Sequence, residues 1–330
     1  MQRLLVVYNP NSSQYVHVKA EVLARVNELA GTMVGKFAIS KIGFDANVKK
    51  LARVICDGDV VMAAGGDATA AITANAILHS DKKVEFMVLP YGNFNDLART
   101  LGYSGRGLSV SGRVLPLSSP KIFSEEKSFG DPPSSVARPK PISRSFYPLE
   151  IYVDGEFWRY ATCYVTIGMT AEAVPIFDDP KIRKKMQEGH KSSWRSYLQL
   201  VKWYFKNRRK KEFLPRFSLN GVLQKKGMSD YAAVNGKSMS RVMKGGEDYL
   251  KKKEFRSMTE KTVSFLRLFV LMAKSILVRV PGHETNGDVL EFVEPATVSL
   301  QAEGEYQTFE NVKKIEVRKG KKCLKVIENR

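Results

Sequence analysis

The chain has 330 residues, 43% of them hydrophobic and 26% charged, which excludes a disordered or fibrous polypeptide and exceeds what one compact core usually supports. Fifty-three Lys and Arg against 34 Asp and Glu leave a net charge of +19, a surplus that favours an anionic partner such as nucleic acid, polyphosphate or an acidic membrane. Three scattered cysteines and four scattered histidines exclude a disulfide framework and disfavour a His/Cys metal site, so a reduced, cytoplasmic protein is expected.

Leu4–Tyr8 is a short apolar run suited to a buried strand, without the long apolar core of a signal peptide. His17–Leu29 carries apolar residues at a helical period. A weaker strand near Lys36–Ile39 precedes a helix over Val48–Ile55. Asp59–Ala64 reads as a buried strand and Thr69–Leu78 as a helix. Phe86–Leu89 is the fourth strand, and Asp96–Leu101 opens another helix. Continuous apolar strands alternating with helices predict a parallel sheet covered on both faces.

From Tyr103 to Pro148 the chain is rich in Ser, Pro and Gly and has no sustained period, the composition of a linker or inserted loop. Leu149–Val153, Asp154-Gly155 and Phe157–Thr166 predict a hairpin with a tight turn. Lys181–Arg216 holds thirteen Lys and Arg against two Glu, interleaved with Trp194, Tyr197, Trp203, Tyr204 and Phe205. Such a segment suits either a solvated helical face or docking on anionic lipid. Nucleic-acid binding is disfavoured, because no nucleic-acid fold signature accompanies the charge. Val263–Val280 is apolar but interrupted by Arg267, Lys274 and Arg279, which does not suit a spanning helix. Val289–Ile327 returns to short β-like runs, so the second half reads as mostly β.

Chemistry concentrates in three polar loops, each after a predicted strand: Asn9-Pro10-Asn11-Ser12-Ser13, Gly65-Gly66-Asp67-Ala68-Thr69 and Pro90-Tyr91-Gly92-Asn93-Phe94-Asn95-Asp96. In a parallel sheet these loops share the carboxyl edge, where open α/β sheets bind ligands. A glycine pair lets backbone N–H groups approach a phosphate, and a following helix N-terminus favours negative charge. Asp67 and Asp96 on the same edge are candidates to hold Mg²⁺. Singly, the first two loops read more readily as turns and Asn95-Asp96 equally well as a helix cap; in order on one edge the three point to a nucleotide phosphate.

GGDAT followed by LPYGNFNDLARTLG resembles the family built on the diacylglycerol kinase catalytic domain, whose members show GGDGT and then P-x-G-T-x-N-D-x-A-R-x-L-G. NPNSS is similar to that family's opening phosphate loop. IGMTAEAV at Ile167–Val174, YAAVNG at Tyr231–Gly236 and LQAEGEYQTF at Leu300–Phe309 resemble its later motifs. The resemblance implies an α/β nucleotide domain like that of NAD kinases, followed by an antiparallel β-sandwich domain. It implies an ATP- and Mg²⁺-dependent lipid kinase acting on a lipid hydroxyl, with diacylglycerol converted to phosphatidic acid. ATP would lie against Asn9, Ser12, Ser13, Gly65, Gly66, Ala68, Thr69, Gly92, Asn93 and Asn95, and Mg²⁺ against Asp67 and Asp96. Glu303 stands where the family has its general base, an Asp, with Glu305 and Asp67 as further catalytic carboxylates.

Three positions depart from the family pattern: Ala68 replaces Gly, Asn93 replaces Thr and Glu303 replaces Asp. A Cβ at residue 68 would cost on the order of 1 kcal/mol if the backbone there needs positive φ. Asp154-Gly155-Glu156 is the literal Asp-Gly-Glu of the chain, but its place between predicted strands marks it as a turn.

The expected organisation is an ATP-binding domain over 1–102, a linker over 103–148 and a lipid-substrate domain over 149–312 with a basic helical insertion near 181–212. Residues 313–330 are expected to form C-terminal strands returning to the first domain. The expected place is the cytoplasmic face of an anionic membrane, held peripherally; monomer and homodimer stay open. Two rival readings stand: a soluble-substrate kinase of the NAD kinase type, and a nucleotide-binding membrane-associated protein with impaired catalysis.

Overall fold

The computed structural model describes residues 3–12, 14–23, 33–92, 95–102, 143–178, 202–203, 205–207, 213–224, 228–239, 243–245, 249–261, 274 and 277–327. The chain divides into two compact units, one of Met1–Phe146 with Leu324–Arg330, the other of Tyr147–Cys323.

The first unit is built on β1 (Arg3–Tyr8), β2 (Met33–Ala38), β3 (Val60–Gly65), β4 (Glu85–Pro90) and β5 (Ser143–Phe146), with the terminal strand Leu324–Ile327, β18. The sheet order is β2-β1-β3-β4-β18-β5, and every pairing is parallel except β18 with β5. The chain leaves β1 toward β2 on one side, whereas β3 leads to β4 on the other. The edge between β1 and β3 is therefore a topological switch point, where such sheets leave a crevice. Helices α1 (Phe44–Val54), α2 (Asp67–Ser80) and α3 (Asp96–Thr100) follow β2, β3 and β4. Residues 69–78 of α2 are buried on every side, and Thr73 and Asn75 satisfy their polar groups on the carbonyls of Thr69 and Ala71 at 2.7 and 2.9 Å. That burial fixes the helix whose first turn carries Asp67.

The second unit is antiparallel. It comprises β6 (Leu149–Val153), β7 (Glu156–Ala161), β8 (Tyr164–Gly168), β9 (Phe217–Leu219), β10 (Val222–Leu223), β11 (Met228–Val234), β14 (Phe255–Lys261), β15 (His283–Thr285), β16 (Gly287–Ala302) and β17 (Glu305–Lys319) in one sheet, with β12 (Ser238–Met239) and β13 (Met243–Lys244) as a separate ladder. The short helix α4 (Met169–Ala173) follows β8. Ile151, Val165, Ile167, Phe217, Tyr231, Phe255, Leu300 and Ile315 form its fully enclosed core. An α/β parallel-rich sheet and a separate antiparallel sheet thus make up the fold.

Several expectations need correction. The strand expected over Phe157–Thr166 is two strands, β7 and β8, broken at Thr162-Cys163 because those residues turn their donors toward Glu303. The short runs expected after Val289 are one long hairpin of β16 and β17. Register shifts around Ala296, next to Pro295, interrupt the alternation that would have signalled a long strand. The boundary expected at residue 312 falls inside β17, and the second unit extends to Cys323. Residues 143–146 of the expected linker form β5 in the first sheet. The helices α1 and α2 begin four and two residues before their expected starts. Residues 103–142, most of Lys181–Arg216 and most of Val263–Val280 lie outside the described residues. Of the basic segment, Trp203 packs on Phe213 at 5.8 Å beside Met169, while Lys202 and Lys206 are exposed. Among the described residues, no helix is long and apolar enough to cross a membrane.

Candidate functional site

All three polar loops lie at the carboxyl ends of β1, β3 and β4. In the first, the Asn9 side chain accepts the N–H of Asn11 at 2.9 Å and the Asn9 carbonyl accepts that of Ser12 at 3.1 Å, closing a compact turn. Ser13 lies outside the described residues, as does Asn93.

The second and third loops are joined by Asp67. Its carboxylate accepts the backbone N–H of Asn95 at 2.8 Å and of Asp96 at 2.7 Å, one on each oxygen. Asn95 takes the left-handed conformation (φ 55°) and bridges its own loop, accepting from Gly92 N–H at 2.8 Å and donating to Gly92 O at 2.7 Å. Gly66 and Gly92 then meet backbone to backbone: a Cβ on Gly92 would stand 2.3 Å from Gly66 Cα. Position 92 must be glycine for the loops to close, and position 66, where a Cβ would stand 3.0 Å from Gly92 Cα, leaves little room for more. Thr69 is buried one turn into α2, its methyl and hydroxyl against Gly65. Ala68 sits in the first turn of α2 and is not among the residues of positive φ, so the strain considered for its Cβ does not arise.

The electrostatics follow from this packing. Burial, and next the charge of Asp96, push the Asp67 carboxyl up from the ordinary carboxylate range to about 7, against the lowering effect of the two N–H bonds. Asp96 is itself buried and its carboxylate lies 3.5 Å from the Arg99 guanidinium. Arg99 offsets part of the repulsion between the two carboxylates. Among the described residues no group of three or more His, Cys, Asp or Glu could hold a metal alone. Two carboxylates nevertheless fit Mg²⁺, which ordinarily takes one or two of them and completes its shell with water and substrate phosphates.

Glu303 and Glu305 belong to the second unit. Ala302 pairs with Glu305, leaving Glu303 (φ 54°) and Gly304 (φ 90°) as a two-residue type I′ turn at the tip of the β16–β17 hairpin. The turn usually takes Asn or Asp first, and Glu is held there by its side chain. The Glu303 carboxylate is buried and accepts from the Thr162 hydroxyl and the Cys163 N–H. Asn235 in turn fixes that strand break: its side chain donates to the carbonyls of Thr162 and Tyr147 at 2.8 and 3.0 Å, and the N–H groups of Asn235 and Gly236 both reach Cys163 O. Two weak motifs of the second half, those holding Asn235 and Glu303, therefore converge on the Thr162-Cys163 break. Thr162, Cys163 and Asn235 were not singled out in the sequence as partners of Glu303; their link needs sequence separations of 141, 140 and 73 residues. Asp154-Gly155 is also a type I′ turn, and Asp154 accepts the N–H groups of Lys313 and Lys314, so this Asp-Gly-Glu is a structural clip.

The glycine loops and the Asp67 clip stand at the carboxyl edge of a parallel α/β sheet, where such folds hold their ligands. Residues 3–116 match the model of the diacylglycerol kinase catalytic domain. The diacylglycerol kinase of Bacillus subtilis is 34% identical over 104 residues, covering 31% of this chain and 34% of that protein. That of Staphylococcus carnosus is 31% identical over 102 residues, covering 30% and 33%. These matched segments span about a third of the relatives' length. The crystal structure of a diacylglycerol kinase from Bacillus anthracis superposes with a TM-score of 0.60, at 13% identity, over 99% of this chain and 97% of that one, a likeness of fold. Residues 3–116 are thus similar to the diacylglycerol kinase catalytic domain, the family whose loops this sequence resembles.

Proposed function

We propose that the protein is a lipid kinase that transfers the γ-phosphoryl group of ATP to a lipid hydroxyl, with diacylglycerol as acceptor and phosphatidic acid as product. The observation that carries this reading is the Asp67 clip, which ties two glycine loops into one cradle at the switch point. Backbone N–H groups at Gly65, Gly66 and the start of α2 suit the nucleotide phosphates, and the 14-residue helix adds the favourable end of its dipole. Asn9, Ser12, Gly92 and Asn95 complete the cradle; Ser13 and Asn93 are assigned to it by position in the loops. The names of the matched relatives support diacylglycerol as the acceptor.

Asp67 and Asp96 would hold Mg²⁺, whose chemistry is to neutralise charge on the transferred phosphoryl. In the reaction the lipid hydroxyl oxygen forms a bond to the γ-phosphorus, the bond to the β-bridging oxygen breaks, and ADP leaves. Glu303 takes the hydroxyl proton, with Glu305 beside it in sequence. Thr162 and Cys163 hold the Glu303 carboxylate in one orientation, which a base needs if ~1 Å of displacement is not to cost ~100-fold in rate. The surplus of positive charge supports peripheral association with an anionic membrane.

The second reading, a nucleotide-binding protein with impaired transfer, is favoured by one observation: the Glu303 carboxylate is buried on donors of its own unit. Turnover of Glu303→Gln separates the two. Loss of transfer on the order of 100-fold with ATP binding retained supports Glu303 as base. Undiminished turnover removes Glu303 from the mechanism.

A further inference from the structure

The second unit contains a cavity of about 700 Å³ that the kinase reading does not use. Its floor is the outer face of the β16–β17 ladder. Gly287 stands opposite Arg318 and Val289 opposite Glu316, while Glu150 and Tyr152 of β6 continue the same rows. The alternate positions, Asp288, Val317 and Ile151, turn into the core. Because Gly287 has no side chain, the floor is depressed beside Arg318.

Lys253, Arg318 and Lys321 give the rim its positive charge; Lys319 also lines the cavity, but its ammonium is engaged by Asn235 Oδ1 and the Tyr249 carbonyl. The carboxylates near it are already engaged. Glu150 accepts from the Tyr152 hydroxyl, Arg318 Nε and the Lys321 N–H at 3.0, 3.2 and 3.1 Å. Glu316 lies 2.6 Å from the Lys314 ammonium, and Asp288 accepts from Asn220 and the Tyr231 hydroxyl, each at 2.9 Å. The ammonium groups of Lys253 and Lys321, both exposed, meet no carboxylate among the described residues. The Arg318 guanidinium carbon stands over the Tyr152 ring, 4.0 Å from its centroid, which together with the bond to Glu150 holds the group in place. A cavity within the ordinary size range of ligand sites, with a glycine floor and a rim of cations, fits a phosphate-bearing anion.

We infer that this cavity is a second anion site, taking a phosphate monoester borne by a soluble molecule or by a lipid headgroup. It does not rest on the kinase reading, since every residue named here lies in the second unit and binding is measured without turnover.

Cys323, exposed and two residues from Lys321, offers a local reporter. In the full chain carrying Cys56→Ser, a solvent-sensitive fluorophore on Cys323 is titrated with inorganic phosphate and with dihexanoyl phosphatidic acid below its micelle concentration. The expected result is a saturable response that Lys253→Ala with Lys321→Ala weakens on the order of tenfold. Lys202→Ala with Lys206→Ala, in the separate basic segment, should leave it unchanged. Saturation by phosphate alone identifies a soluble source, and saturation only by the lipid identifies a headgroup; either sustains the site. No saturable response to either probe overturns it. So does an equal loss in both double variants, which would make the response a property of net charge.

Discussion

At the scale of single residues, Asp67 has two separable tasks. It accepts two backbone N–H groups that fix the third loop, and in the proposed reaction it would also help hold Mg²⁺. Asparagine keeps one acceptor and presents an amide to the other N–H, so Asp67→Asn should lower stability by ~1–3 kcal/mol besides abolishing transfer. Thermal unfolding beside an ATP-dependent transfer assay reads both effects. Gly92→Ala acts through space alone: its Cβ would meet Gly66 Cα at 2.3 Å, and the loops must part. Loss of ATP binding with a cost of ~1–3 kcal/mol is expected, and ATP affinity equal to the native chain would show that the glycine contact is dispensable. Charge at Asp67 should also respond to metal: Mg²⁺ at neutral pH should raise the melting temperature of the native chain but not of Asp67→Asn.

Among elements, the hairpin turns show what a sequence reveals and what it conceals. The strands of the first sheet were legible because buried parallel strands are unbroken apolar runs, as in Val60–Ala64 and Phe86–Leu89. The glycine loops were legible as candidates, since each follows such a run. The clip between them was not, because Asp67 and Asn95 are 28 residues apart and nothing local records a carboxylate-to-backbone bond. The long β16–β17 hairpin was hidden by Pro295 and the bulge beside it. Buried Asp230 is a further case: it accepts the Thr170 N–H at 2.7 Å at the start of α4, and burial pushes its carboxyl up to about 7. A carboxyl whose folded pKa lies above its unfolded value takes up a proton on folding, so its contribution is most favourable below about pH 4 and is lost as pH rises to about 7. Asp230→Asn should therefore flatten the fall in melting temperature between pH 5 and pH 7.5. An unchanged slope would show that Asp230 does not hold that proton.

Across the whole molecule, the candidate groups are divided between the two units. The first carries the phosphate loops and the paired carboxylates; the second carries Glu303, its donors and a cationic cavity of its own. The net charge of +19 favours anionic partners, and the proposed roles of the second unit's Lys and Arg, attraction to an anionic surface and local recognition of phosphate, are separable by experiment. We propose that the protein phosphorylates a lipid, with Asp67 and Glu303 both required. The most direct test is transfer of labelled phosphate from ATP to diacylglycerol in Mg²⁺-containing mixed micelles, with a total lipid extract as a parallel acceptor. Labelled phosphatidic acid, lost in Asp67→Asn and in Glu303→Gln, is the predicted result; no label in any lipid while ATP still binds would contradict it.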